Sequence, residues 1–216
     1  MDSQPDQLPR LVDALRAEDD GRVRRLLALA IGRHGRRAQA AVPLLVRALD
    51  DETAGPGAAK ALSQIGTPVL PDLVATLQGD STLARVNAAR AIQWLGEDAA
   101  SVVPSILDIL RDEKDPRLKI ELVRAVGGIG GAAAPGVGVL LQNLDSGDKR
   151  LKRASIGALG RIGEKRAVRP LMELLDSEDA FDSGAAAKAL GEIGPNACEA
   201  VPKLLELLHR HHLDRY

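Results

Sequence analysis

The stretch ALGRIG at residues 158–163 is followed, 31 residues further on, by ALGEIG at 189–194. A glycine-rich hexapeptide has two physical readings. A phosphate-binding loop needs a strand before it and a Gly-x-x-x-x-Gly-Lys sequence, and neither segment is followed by one. The other reading is punctuation, in which the string recurs because a building block recurs. Four more segments end the same way: AIGRHG, LSQIG, IQWLG and VGGIG. The six closing glycines are Gly35, Gly66, Gly96, Gly130, Gly163 and Gly194, at spacings of 31, 30, 34, 33 and 31. So steady a period over most of the chain selects the repeat.

Fifteen residues before each glycine stand Asp20, Asp51, Ser81, Asp115, Asp148 and Asp179. All carry a side-chain oxygen that can accept from the free amides of a helix start. Pro116 follows Asp115 at the first helical position, where a missing N–H does no harm. The glycine is the stop, able to take a positive φ. Each unit therefore holds a second helix of about four turns with both ends marked. Pro43, Pro71, Pro104, Pro170 and Pro202, with Gly138 once in their place, open short apolar-periodic segments such as PLLVRALD and PSILDILRD, which read as first helices. Alanines in GAAKAL (57–62), NAARAI (87–92) and GAAAKAL (184–190) leave room for another helix to approach. The glycine-rich 127–138 joins units four and five and reads as a softer joint.

The form Asp-x-x-x-Arg-x-x-Ala-Ala-x-Ala-Leu-Gly-x-Ile-Gly, matched well in ARVNAARAIQWLG and in part in LKRASIGALGRIG, resembles the short HEAT-like repeats also found in phycobilisome-lyase-related proteins. The resemblance covers about Leu8 to Leu213. It implies an all-α, right-handed α-solenoid of about six HEAT-like helix pairs plus a C-terminal capping helix. As one domain over 1–216, the repeats fall at 8–35, 36–66, 67–96, 97–130, 131–163 and 164–194, with a capping half-repeat at 195–216. The family is mostly scaffolding, and its second helices line the concave surface. Tetratricopeptide repeats need aromatics in every unit, and Trp94, Phe181 and Tyr216 are the whole supply here.

Composition agrees with a folded chain: 45% hydrophobic and 27% charged, with a core restricted to Leu, Ile, Val and Ala. The single cysteine, Cys198, excludes an internal disulfide framework. No apolar run approaches the ~20 residues of a membrane span, and MDSQPDQLPR has no basic-then-apolar leader pattern. The expectation is a cytoplasmic protein with no membrane partner.

Net charge is −1, but its distribution is uneven. On a helical wheel, the residues eight, seven, five, four and one before each glycine point inward. Those fourteen, thirteen, ten, nine, six and two before it form the free stripe. Its basic members are Arg22, Arg25, Arg33, Lys60, Arg90, Arg117, Arg124, Lys149, Arg150, Arg153, Arg161 and Lys188; its acidic members are Glu52, Glu121 and Glu192. Arg24, Arg85, Lys119 and Lys152, four residues after the caps, are expected to pair with Asp20, Ser81, Asp115 and Asp148 or their neighbours. Leu83, Val86, Trp94 and Ile120 make the stripe apolar in the middle. Two readings stand side by side: a solvated charged face, and a surface for an anionic partner that segregated charge would help to capture. Trp94 likewise reads either as an interface anchor or as a ring packed across to the neighbouring repeat.

No catalytic constellation emerges. The histidines are His34, His209, His211 and His212, and none is followed by glutamate, as di-iron HEAT-like hydroxylases require. His209 and His212 share a helix face, but zinc takes four ligands. Trp94 with Glu121 is a thin version of the HEAT-like DNA-glycosylase cluster, and no motif supports bilin attachment. Cys198 reads as a small buried residue. The expectation is a non-catalytic scaffold or adaptor without cofactor or metal. It holds an acidic protein segment on Arg25, Lys60, Leu83, Val86, Arg90, Trp94, Arg117, Ile120, Arg124, Arg150, Arg153, Arg161 and Lys188. Nucleic-acid backbone binding through the same face is the alternative; a lyase-like or glycosylase-like enzyme, or enzyme accessory, is the remote one.

Overall fold

The computed structural model describes residues 7–213, with side chains to residue 209. Among the described residues there is no strand. All six predicted cap residues accept hydrogen bonds from backbone amides two or three residues ahead: Asp20, Asp51, Ser81, Asp115, Asp148 and Asp179. They open the second helices α2 (Gly21–Gly32), α4 (Gly55–Ile65), α6 (Thr82–Leu95), α8 (Pro116–Ile129), α10 (Lys149–Ile162) and α12 (Ala180–Ile193). α4 starts three residues late, at Gly55, with Pro56 in its first turn, where a missing N–H does no harm. The six stop glycines are the described residues with positive φ, from 56° at Gly35 to 95° at Gly66.

The first helices are α1 (Leu8–Ala17), α3 (Val42–Ala48), α5 (Leu70–Leu77), α7 (Val103–Asp112), α9 (Val137–Gln142), α11 (Val168–Glu173) and α13 (Val201–Leu213). Each after α1 is entered through a 3₁₀ segment, of seven residues after Gly35, Gly96, Gly130 and Gly194 and of three before α5 and α11. The sequence did not announce these segments. Residues 116–145 reach a mean hydropathy of 1.4 over their most apolar window, more than the apolar runs read from the sequence. They are not one straight helix, since the backbone turns at Gly130 with φ 73°. Leu118, Leu122, Val123, Val126 and Ile129 of this run are fully buried, as in a core helix.

The chain divides into two compact units, Met1–Ala125 and Val126–Tyr216, beside the glycine-rich 127–138. In the first, α1 packs on α2, α3 on α4 and α5 on α6, while α2, α4 and α6 pack on one another in succession. In the second, α9 packs on α10, α11 on α12, and α10 on α12. Second helices approach closely where a glycine sits three residues before the stop. A Cβ on Gly32 would lie 2.6 Å from the Cα of Ala61, on Gly127 2.7 Å from that of Ala158, and on Gly160 2.8 Å from that of Ala189. The facing alanine is in each case five residues before its own stop glycine.

The core is aliphatic, as the composition requires, with a few polar intruders. Ser155 is fully buried at the position held by Ala58, Ala88 and Ala186 in other repeats, and its hydroxyl has no hydrogen-bond partner. A hydroxyl buried without a partner costs about 1 kcal/mol or more. Ser155→Ala is therefore expected to stabilise the second unit by about 1 kcal/mol, read as a higher urea midpoint. A lower midpoint would mean that the hydroxyl is satisfied.

Candidate functional site

The second helices carry the residues singled out from the sequence, and their environments divide them. Arg90 of α6 and Arg124 of α8 both bind one carboxylate, that of Glu121, at 3.2 and 3.0 Å. Glu121 is only 7% exposed, so the two guanidinium groups neutralise a buried charge. The same contacts answer the Trp94–Glu121 idea, because this carboxylate already serves two arginines. Arg153 of α10 binds Asp179 and Asp182 of α12, each at 3.1 Å, and lies 5.0 Å from the ring centre of Phe181. Arg161 donates from Nε to the carbonyl of Gly127 at 3.2 Å. Lys188 sits 3.5 Å from Glu192 on the exposed face of α12. These residues tie the fold as well as carry charge.

Of the four cations set aside as structural, Arg24, Arg85 and Lys152 pair with the following repeat rather than with the caps beside them. Arg24 binds Asp51 at 2.7 Å, Arg85 binds Glu113 at 2.6 Å, and Lys152 binds Asp182 at 2.8 Å. The cap oxygens of Asp20, Ser81 and Asp148 are occupied by their own amides, and the long cations reach forward. The sequence held a usable clue, opposite charges 27 to 31 residues apart.

Three sequence expectations are corrected. Val86 is in the core, 9% exposed, although the wheel sets it on the free stripe. Cys198 is exposed, since it lies on the outer side of the 3₁₀ segment while Ala197 and Ala200 turn inward. Glu121, counted on the free stripe, is buried as described. His211, His212 and Tyr216 lie beyond the described side chains. His209 places Nδ1 2.7 Å from the carbonyl of Leu205.

What remains accessible in the first unit is a short row. Trp94 is 43% exposed, with the Lys60 ammonium 5.2 Å from its ring centre, a cation–π contact between neighbouring repeats. Leu83 and Ile120 are half-buried. Arg25 and Arg117 are exposed and make no ion pair among the described residues, and in the second unit Arg150 does the same. An open groove of about 570 Å³ at the ends of α5 and α7 is lined by Asp108, Asp112 and Lys114 above the Arg85–Glu113 pair. No set of nucleophile, base and orienting partner converges there.

The acids of α12 are held ionised. Asp179 is lowered to about 2, first by the hydrogen bond from Lys149 and then by the Phe181 amide and Arg153, against the cost of burial. For Asp182, burial pushes upward, but hydrogen bonds from Lys152 and Arg153 bring it below the usual value. A carboxyl depressed in the folded state contributes its stability fully above the ordinary value of 3.8 and loses it as pH falls towards about 2. Between pH 5 and pH 2 the wild-type Tm is thus expected to fall more steeply than that of Asp179→Asn. Parallel curves would contradict the linkage.

Stacked helix pairs with caps, stop glycines and ties to the adjoining repeat define a repeat architecture, and sequence comparison settles which one. The model for HEAT repeats matches residues 8–86 and 137–215. The chain belongs to the HEAT-repeat family. Solved structures similar to this HEAT-repeat chain share its fold. An engineered protein shows 22% identity and a TM-score of 0.54, over 88% of this chain and 98% of that one. A designed armadillo repeat protein shows 18% and 0.55, over 87% and 100%. An archaeal HEAT-like repeats protein from Thermococcus onnurineus NA1 shows 16% and 0.52, over 88% and 82%. No curated protein matches in sequence. The all-α repeat solenoid is typical of protein-binding scaffolds and is usually non-catalytic.

Proposed function

We propose that this HEAT-repeat protein is a non-catalytic adaptor that holds an acidic protein segment along its second helices. The observation that carries the reading is Trp94, an aromatic left 43% exposed beneath the Lys60 ammonium in a chain otherwise nearly without aromatics. Tryptophan and arginine dominate interface anchors. Leu83 and Ile120 add half-buried apolar surface on α6 and α8, and Arg25 and Arg117 supply cations not already committed to the fold. Arg90, Arg124 and Arg153 contribute indirectly, by fixing the helices that display the others.

The test is affinity purification from the native cell with wild type and a Trp94→Ala, Arg117→Glu double variant. Both positions are exposed, so the variant keeps its helical content. A protein partner should co-purify with wild type and be lost from the variant, and labelled DNA and RNA should not bind at low salt. Equal recovery by both proteins would remove this face from consideration. Nucleic-acid binding that falls steeply with salt would replace the reading with phosphate-backbone recognition.

A further inference from the structure

Two helices expose large apolar side chains among the described residues, and their surroundings carry opposite charge. In later second helices, residues at twelve, nine or five before the stop meet the preceding repeat. Gly57 meets Arg25, Ala61 meets Gly32, Ala158 meets Gly127, Ala189 meets Gly160, and Asp182 meets Lys152. The corresponding residues of α2 are Val23, Leu26 and Ala30. Val23 and Leu26 are large apolar side chains, and Leu26 is 66% exposed. Arg22, Arg25 and Arg33 run along one border of this ridge. Residues 21–49 contain seven arginines and no acid; Arg24 is bound to Asp51, while Arg22, Arg25 and Arg33 are exposed.

The second face belongs to α13, where Val201, Leu205 and Leu208 recur at i, i+4 and i+7 and are all at least half exposed. Here the charge is reversed. Residues 173–206 hold eight acids and two lysines; Asp176, Asp179, Asp182 and Glu192 already bind cations, and Glu173 and Glu178 are exposed. Glu192, Glu199 and Glu206 are exposed.

From these complementary surfaces we infer that the chain self-associates head to tail, with α13 of one copy lying along the Val23–Leu26 ridge of α2 in a second copy. Helix ridges of this kind pack side by side, and the arginine border of α2 meets the acidic end of the other copy. The two faces differ, so the contact is heterologous, and each copy keeps one of each face open to the next. The contact is small, so association depends on concentration, and screening by salt weakens it.

The experiment is sedimentation velocity on the full chain over a wide concentration range, at low and at high salt. Wild type should shift from monomer to dimers and longer assemblies as concentration rises, and less so at high salt. Leu26→Glu and Leu205→Glu alter different faces, and each should raise the concentration needed for association by roughly tenfold or more. An equimolar mixture of the two variants retains one intact pair of faces and should form a dimer that stops there. Leu208→Glu, checked for helicity, replaces Leu205→Glu if that variant loses structure. A wild type that stays monomeric throughout, or variants that fail to complement each other, would overturn the proposal.

Discussion

Gly160→Ala is expected to destabilise the second unit by roughly 1–2 kcal/mol, whereas Gly157→Ala, one turn earlier in α10, is expected to stabilise it by about 0.5–1 kcal/mol. Both changes improve helix propensity by a similar amount. They differ in what the new methyl meets. At Gly160 it would lie 2.8 Å from the Cα of Ala189 and 2.9 Å from its Cβ, and backbone cannot swing aside. At Gly157 nothing lies within 4 Å. Gly160→Leu should cost about 3 kcal/mol or more, because α10 and α12 would have to part. Far-UV circular dichroism in urea reads the effect. Stabilisation by both alanines would mean that the two helices are further apart than described.

Asp182→Ala is the second large effect, a loss of about 2 kcal/mol. Its carboxylate is nearly buried and receives Lys152 at 2.8 Å and Arg153 at 3.1 Å. Truncation leaves Lys152, itself 19% exposed, with no acceptor. Arg153 keeps Asp179 and is more exposed, so its share is smaller. Val23, Ala54, Ala84, Leu118 and Leu151 occupy the equivalent position in the other repeats. A triple change, Asp182→Leu with Lys152→Met and Arg153→Met, should therefore recover most of the loss. Failure of the triple variant to recover, measured by thermal unfolding, would show that packing at Asp182 matters more than its charge.

The sequence made the skeleton of the fold legible because caps and stops act locally. A side-chain oxygen fifteen residues before a glycine reports on both helix ends, and all six pairs performed those roles. The candidate surface was less legible. A helical wheel gives the direction of a residue about its own axis, but not which repeat it meets. Val86 and Arg90 looked solvent-facing for that reason; Val86 is buried, and Arg90 reaches Glu121 in the next repeat. Arg124 was drawn to its own helix neighbour Glu121 together with Arg90, a shared acceptor that pairwise spacing does not reveal. Trp94 was the exception. Its position two before the stop placed it on the exposed side, where it is 43% exposed, and the contact with Lys60 of the preceding repeat matches the reading of a ring packed on a neighbouring repeat.

The ion pairs between second helices share an orientation. Arg24 reaches Asp51, Arg90 reaches Glu121, Lys149 reaches Asp179 and Lys152 reaches Asp182, always with the cation on the earlier member. The array thus has a polarity, like tiles with a tongue on one edge and a socket on the other. A match survives only while its two tiles stay neighbours, since the counterpart of Asp182 one tile earlier is Leu151 and that of Glu121 is Asn87. Such an array resists being shuffled.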